Sequence, residues 1–438
     1  MRTRLGCIVA FMVLSVGLAL AAEKQIIRRP GTKTGGNYSP CILASFTIGV
    51  LCAPVALADQ TAAPPVAIRD VAGSTFALAA RGDGSVVAWG RGAPGGALAA
   101  PTPIALPGPA QRVAVGESSA YALLEDGSVV AWGENDEGQL GNGPSGSNKP
   151  LGAYPKPSAT PVRVTDLAGI IAIAAGRKHA IALRKDGTVW AWGIRDDGAV
   201  GDGDAKPAGS LRVVSAAAPV KVRGLAGITQ IAAGPTHNLA LTGDGKVMSW
   251  GSNSTGELGV GTRDTGWTPA EVTGLTNVVA IAAGSGQGTY GVSAAVRQDG
   301  TLWVWGSGSS AMMGNGVRNP SPDDAGGRNL LPLQVKGIAG AKAAAVGAGH
   351  IAAVLNDGSV RAWGMNGYGE VGLGANSAYE VVPVKVSGLT NVATLRLGGY
   401  SSYAIRSDGT LWIWGFGLSP GRGILSRNIA APTRLDLP

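Results

Sequence analysis

The sequence predicts an all-β fold, a seven-bladed β-propeller of four-stranded antiparallel blades, on three observations. Seven times the chain writes Asp-Gly, four residues, then Trp-Gly, from Asp83–Trp89 through Asp126–Trp132, Asp186–Trp192, Asp244–Trp250, Asp299–Trp305 and Asp357–Trp363 to Asp408–Trp414. Successive copies lie 43 to 60 residues apart, the span that four strands of one blade occupy. Glycine accounts for 70 of the 438 residues while charged residues make up only 15%, a balance suited to many short strands joined by tight turns.

Each unit reads as four strands. The first ends in a small-residue run such as "IAIAAG" (to Gly176), and the second is fullest in "HAIALRKDG". Its Asp-Gly end supplies the positive φ of a tight hairpin, so the third strand, "TVWAWG", turns straight back beside it. A fourth strand begins at proline, as in "PVRV", "PVKV" and "PAEV", because proline is tolerated at a strand start or sheet edge. From that proline to the next strand-one glycine the count is always 15, as between Pro161 and Gly176. From the tryptophan to the proline it ranges from 12 to 29, and the one irregularity between strands one and two is the insert 285–291. In an antiparallel meander these variable segments share one end of every blade. The length variation therefore gathers on one face, and variable loops on a rigid scaffold are where binding resides.

Residues 59–438 form the expected propeller, and 1–58 read as an export leader. Arg2 and Arg4 precede an apolar run closing on Ala19-Leu20-Ala21, and a second copy of the layout runs from Arg28, Arg29 and Lys33 to Ala56-Leu57-Ala58. Both are secretory patterns. Cleavage is the preferred reading, placing the protein in the periplasm or outside the cell; a retained membrane anchor or a lipoprotein is the rival. The leader holds six of the 36 basic residues and one of the 28 acidic ones, and all three cysteines. The body is left with a surplus of only three positive charges, too few for a phosphate-binding surface, and with no thiol or disulfide chemistry.

The wording of the units, best seen in "GRKHAIALRKDGTVWAWG" and "WGENDEGQLGNG", resembles the regulator of chromosome condensation repeat family over residues 66–438. The first unit has "GGAL" where "GQLG" is expected, the fifth "AMMG" and the seventh "SPGRG". The resemblance implies a seven-bladed propeller, and the C-terminal "PTRLDLP" is expected beside Val66–Ala72 to seal the ring. Its founding type implies guanine-nucleotide exchange on a small nuclear GTPase; a secreted version resembles a β-lactamase-inhibiting protein that plugs an enzyme with loop aromatics.

The seven repeat tryptophans, Trp89, Trp132, Trp192, Trp250, Trp305, Trp363 and Trp414, are expected to be inter-blade core, joined by Trp190, Trp303 and Trp412 two positions earlier. The three histidines, His179, His237 and His350, each follow a strand-one glycine by three residues, where other units carry Phe76, Ser119 and Ser401. A position that accepts Phe and Ser as well as His reads as a packing or hydrogen-bonding slot rather than a catalytic or metal-binding one. Tyr154, Trp267, Tyr368 and Tyr379 fall in the expected loops after strand three, and Tyr290 and Tyr400 in loops after strand one. These six are the candidate binding residues, since Tyr and Trp are over-represented at interface hot spots.

Enzyme signatures are weak. Residues 417–421 match G-x-S-x-G, but proline follows the serine, and a nucleophile elbow needs that residue's N–H. The sequence holds no HExxH, Walker loop or acidic calcium loop. Chemistry, if any, would sit among Asp202, Asp204, Asp323 and Asp324. The expectation is a monomeric exported scaffold without cofactor or metal that binds a protein partner through its variable face. Exchange-factor activity, or carbohydrate binding and polysaccharide cleavage, are the alternatives.

Overall fold

In a computed structural model, residues 66–143, 156–204, 215–285, 290–318, 327–416 and 428–438 are described, and they form seven four-stranded antiparallel sheets. Each sheet is contiguous in sequence, spanning 68–104, 110–163, 170–221, 228–271, 278–334, 341–385 and 392–435, with its strands paired in chain order. The first strand of every blade packs against the first strand of the next, and that of blade 7 (Val392–Gly398) packs against that of blade 1 (Ile68–Gly73). This is a closed ring with the first strands innermost.

The second and third strands of every blade are joined by four residues. The hairpin is a type I turn followed by a left-handed glycine, with φ between +76° and +82° at the seven Asp-Gly glycines, a three-residue variant of the tight turn. The aspartate itself keeps negative φ; in six of the seven hairpins its carboxylate accepts the backbone N–H and the hydroxyl of the Ser or Thr two residues on, as Asp186 does from Thr188 at 3.0 and 2.6 Å, and in blade 4 Asp244 accepts from the Thr242 hydroxyl instead. Those bonds hold the Asp186 carboxyl below the usual carboxylate range.

Proline is not at the start of the fourth strand. That strand begins three or four residues earlier, and the proline occupies a bulge where the register skips opposite the repeat tryptophan: Ser249 pairs with Ala270 and Gly251 with Gly266, leaving Pro269 between. The fourth strand is the outer edge of its sheet, so the missing N–H breaks no ladder there.

The repeat tryptophans are at most 2% exposed. At five of the seven seams the indole N–H reaches across: Trp192, Trp250, Trp305, Trp363 and Trp414 donate to the carbonyls of Gln139, Ala199, Glu257, Met312 and Glu370 in the preceding blade's loop, at 2.8–3.1 Å. A glycine two residues after each carbonyl lies against the indole; a Cβ at Gly259, which has φ +68°, would come within 2.7 Å of the Trp305 ring. Trp190, Trp303 and Trp412 differ from expectation. They are half-buried at the hairpin end of the strand, each giving its N–H to Thr188, Thr301 or Thr410 at 3.1–3.3 Å.

The histidines tie the same seams. His179, His237 and His350 are fully buried, with Nε2 at 2.8–2.9 Å from Asn238, Ser293 and Ser402 of the following blade. Ser293 and Ser402 donate onward to the carbonyls of Glu257 and Glu370, the same carbonyls that receive tryptophan indoles. Nε2 is therefore the protonated nitrogen of a neutral ring. Burial holds His179 at a pKa of about 4 and the other two at about 3.

The ring closes through its inner strands rather than by strand exchange. Gly398 lies on the backbone of Gly73, Arg396 reaches Asp70 at 3.2 Å, and Ile68 N–H donates to the Gly409 carbonyl at 2.9 Å. The C-terminal segment does pass beside Val66–Ile68 as expected, but as the outer strand of blade 7, Ile429–Leu435.

Two outcomes are expected. Trp250→Ala removes a fully buried wedge and its seam hydrogen bond, at a cost of roughly 3 to 5 kcal/mol; a variant that melts like the parent contradicts the assignment. The histidines, with folded values below the ordinary 6.5, give full stability above that value, and stability falls as pH drops from 6.5 toward 4 because the unfolded chain takes up the protons. Three protons correspond to a slope of about 4 kcal/mol per pH unit at its steepest. Denaturant titrations at pH 7, 6 and 5 should show the decline, and His237→Phe with His350→Phe should flatten it; a level parent profile contradicts it.

Candidate functional site

Four residues join every second strand to its third, and five or six join each blade to the next, whereas the connections from third to fourth strand run from 7 residues in blade 1 to 24 in blade 2. The connections from first to second strand share that variable face. They hold two to five residues, the longest being 286–290.

The third-to-fourth loops are held by the motif that places the tryptophan acceptor. In blade 6, Asn366 Oδ1 accepts the Val371 N–H at 3.1 Å, and its Nδ2 donates to Ala375 O and Ser377 Oγ. Glu370, buried beneath, accepts the Tyr368 N–H at 2.8 Å, and burial raises its carboxyl above the ordinary value. Further out, Gly374 N–H donates to Ala430 O on the outer strand of blade 7 at 2.8 Å, as Gly203 does to Trp267 O and Gly316 to Val381 O. The loops of blades 2 to 6 are thus strapped to the following blade.

On this face Tyr368, Tyr400 and Phe416 form an aromatic trio across the seam of blades 6 and 7. Ring centroids lie 4.9 Å (Tyr368–Phe416), 5.7 Å (Tyr368–Tyr400) and 6.5 Å (Tyr400–Phe416) apart, all edge-to-face, the favoured aromatic geometry. Phe416 N–H donates to Tyr400 O at 2.9 Å, and Ser401 Oγ donates to Phe416 O at 3.0 Å, so two rings ride on one hydrogen-bonded pair of loops. Tyr368 is 38% and Phe416 44% exposed. Such a surface offers apolar area on a pre-ordered backbone, with two phenols for hydrogen bonding.

Of the six aromatics expected on this face, the structure brings together Tyr368 and Tyr400. Trp267 and Tyr379 lie on outer strands (Gly266–Glu271 and Tyr379–Lys385), because those strands start ahead of their prolines. Tyr379 sits under the Arg318 guanidinium, 4.1 Å from the ring centroid, and its hydroxyl accepts from Arg318 at 3.2 Å. Tyr290 is half-buried just before the second strand of blade 5, and Tyr154 lies outside the described residues. Phe416 was not among the candidates. It directly follows a Trp-Gly, where the other units carry Arg91, Glu134, Ile194, Ser252, Ser307 and Met365, and only that break in residue type could have drawn attention to it.

The acidic residues of the loops serve structure. Arg195, buried in blade 3, holds Asp202 at 2.7 Å and Asp204 at 2.8 Å. Asp323, Asp324 and the G-x-S-x-G segment lie outside the described residues. Among the described residues no group of three His, Cys, Asp or Glu could hold a metal ion.

Comparison with known proteins is consistent with this geometry. Two models of the Regulator of chromosome condensation (RCC1) repeat match, one at residues 126–183, 186–241, 244–289 and 357–405, the other at 111–139, 170–198, 228–257 and 341–370. Among curated proteins the chain is 30% identical over 290 residues to the ultraviolet-B receptor UVR8 of Arabidopsis thaliana, covering 64% of this chain and 59% of that one. It is 27% identical to Protein pim1 of Schizosaccharomyces pombe, over 64% of this chain and 65% of the relative. The chain thus spans less than two thirds of the length of these relatives. Two solved structures share the fold: human WBSCR16, with a TM-score of 0.64, 22% identity and coverage of 78% of this chain and 85% of that one, and Prp20p of Saccharomyces cerevisiae, with a TM-score of 0.63, 21% identity and coverage of 85% and 86%. Together the two repeat models span 111–289 and 341–405, more than half of the sequence, and the chain belongs to the regulator of chromosome condensation repeat family.

Proposed function

We propose that this chain is an exported protein-binding propeller that captures its partner on the variable face, with Tyr368, Tyr400 and Phe416 as the anchoring patch. The observation that carries the reading is the exposed aromatic trio, set on hydrogen-bonded loops on the face that bears the long, variable connections. Rigid aromatics give contact area at low conformational cost and concentrate binding energy. The relatives support the coarser statement. Prp20p has been described with its binding to Gsp1p and histones, and yeast RCC1 in complex with Kap60. Nucleotide exchange on a GTPase and carbohydrate binding find no residue here that favours them over protein capture. Export rests on the two leader-like patterns before residue 59.

Two experiments test this reading. Immobilised full-length chain should retain a protein partner from envelope or culture fluid, and the triple variant Tyr368→Ala, Tyr400→Ala, Phe416→Ala should retain at least tenfold less, at an unchanged melting temperature within a few degrees. Equal retention by parent and variant would remove the trio from the binding surface. N-terminal sequencing of the mature protein should begin at Asp59; a start within the first leader-like run, or an intact leader in the membrane fraction, would overturn cleavage at that site.

A further inference from the structure

We infer that a pocket on the opposite, hairpin-bearing face, at the seam of blades 1 and 2, accepts the indole of a tryptophan side chain presented by a partner protein. The pocket has a volume of about 550 Å³ and is walled by Pro107, Pro109, Leu124, Val130 and Pro161. That volume is on the scale of small-ligand sites and ample for one bicyclic ring.

The molecule itself shows how an indole occupies this place. In the third strand of blades 3, 5 and 7, the second residue is Trp190, Trp303 or Trp412, and each donates its N–H to the threonine two residues before it. That threonine hydroxyl gives its own proton to the hairpin aspartate: Thr188 to Asp186, Thr301 to Asp299, Thr410 to Asp408. The oxygen is thereby left as an oriented acceptor. Blade 2 keeps the whole device except the ring. Ser128 replaces the threonine and donates to Asp126 Oδ1 at 2.6 Å, it is only 5% exposed and lines the pocket, and the tryptophan position is Val130.

Two other blades without this tryptophan fill the position with a longer side chain, Met248 in blade 4 and Arg361 in blade 6. Val87 of blade 1 and Val130 of blade 2 both pack on the preceding outer strand, Val87 in a cluster with Leu435 and Leu437 and Val130 in one with Ile104 and Leu106, and at Val130 the pocket opens beside that cluster. Blade 2 combines a short side chain with a linker, Pro107-Gly108-Pro109, that stands beside the space. Charge completes the match. In blades 5 and 7 the rings lie under Arg297 and Arg406, 5.8 and 4.7 Å from the centroids. In blade 2 the equivalent of those arginines is Leu124, an apolar wall, and the cation comes instead from Arg163, directly opposite Val130 on the fourth strand and lining the pocket. Arg163 lies 3.6 Å from Asp126, which with Glu125 also lines the rim; a guanidinium beside an apolar slot with a buried hydroxyl acceptor selects an aromatic ring carrying an N–H.

N-acetyltryptophanamide is the probe, titrated against the full-length protein and followed by ligand-observed and protein-observed NMR. Saturable binding in the millimolar range is expected, with the 1-methylindole analogue at least fivefold weaker because it cannot donate to Ser128. Val130→Trp should fill the slot with the chain's own ring and abolish binding. Should that variant lose the parent's fold by circular dichroism, Ser128→Ala decides instead: it should bring the two probes to equal affinity. No saturation by the parent, undiminished binding by folded Val130→Trp, or equal affinity of the parent for both probes would each overturn the assignment. None of these results depends on the variable-face trio.

Discussion

The fold depends on one recurring wedge, a buried tryptophan at every seam whose indole N–H at five of the seven crosses to a backbone carbonyl of the preceding blade. An antiparallel four-stranded sheet satisfies its own backbone ladder, and nothing in that ladder fixes its angle to a neighbour. The tryptophan does both parts of the work. Its ring fills the space between sheets, and its single donor can be satisfied in a buried site only if the neighbouring loop lies at the right height. The loop carries a glycine two residues further on, because the ring lies where a Cβ would be and the backbone there is left-handed. Seams of this kind pass the same geometry from blade to blade, so the ring closes on Gly73 and Gly398 without exchanging a strand.

The histidines strengthen the same seams at a price in pH range. Each neutral ring donates from Nε2 to the next blade and leaves Nδ1 buried without a partner. A protonated imidazole would add a charge where no carboxylate stands against that nitrogen, which is why burial depresses all three. Serine or phenylalanine does the packing in other blades at no such cost, so the histidines are variants of a seam rather than a separate site.

Regularity at the seams concentrates individuality at the surfaces. Loops after the third strand differ by up to 17 residues in length, yet in blades 2 to 6 their roots are strapped to the next blade's outer strand. Tyr368 stands on one such loop, and Tyr400 and Phe416 stand beside it on two loops hydrogen-bonded to each other. The hairpin face achieves individuality differently. Its hairpins are all of one length and its linkers differ by one residue, so blades differ there in a few side chains, and an absent ring is matched by a pocket rather than by a longer loop.

Blade number, the order of strands and the identity of the wedge residue were all legible in the sequence, since they follow from a fixed interval between a turn residue and a core residue. The histidine slot was legible for the same reason, because Phe76 and Ser119 stand at its equivalents. Local pattern could not show that Pro269 and its equivalents sit in a bulge: a strand's start depends on which partner residues it finds, and the three residues ahead of each proline carry no turn signal. Trp267 and Tyr379 were accordingly misplaced in loops. Phe416, and the pairing of Tyr368 with Tyr400, depended on how two blades meet, and residues 32 and 16 positions apart are brought into ring contact by packing alone. By itself the sequence determined a periodic scaffold, because backbone propensity and core burial act within one repeat. The surface sites were decided by tertiary structure, because each joins side chains from two units whose separation only the closed ring defines.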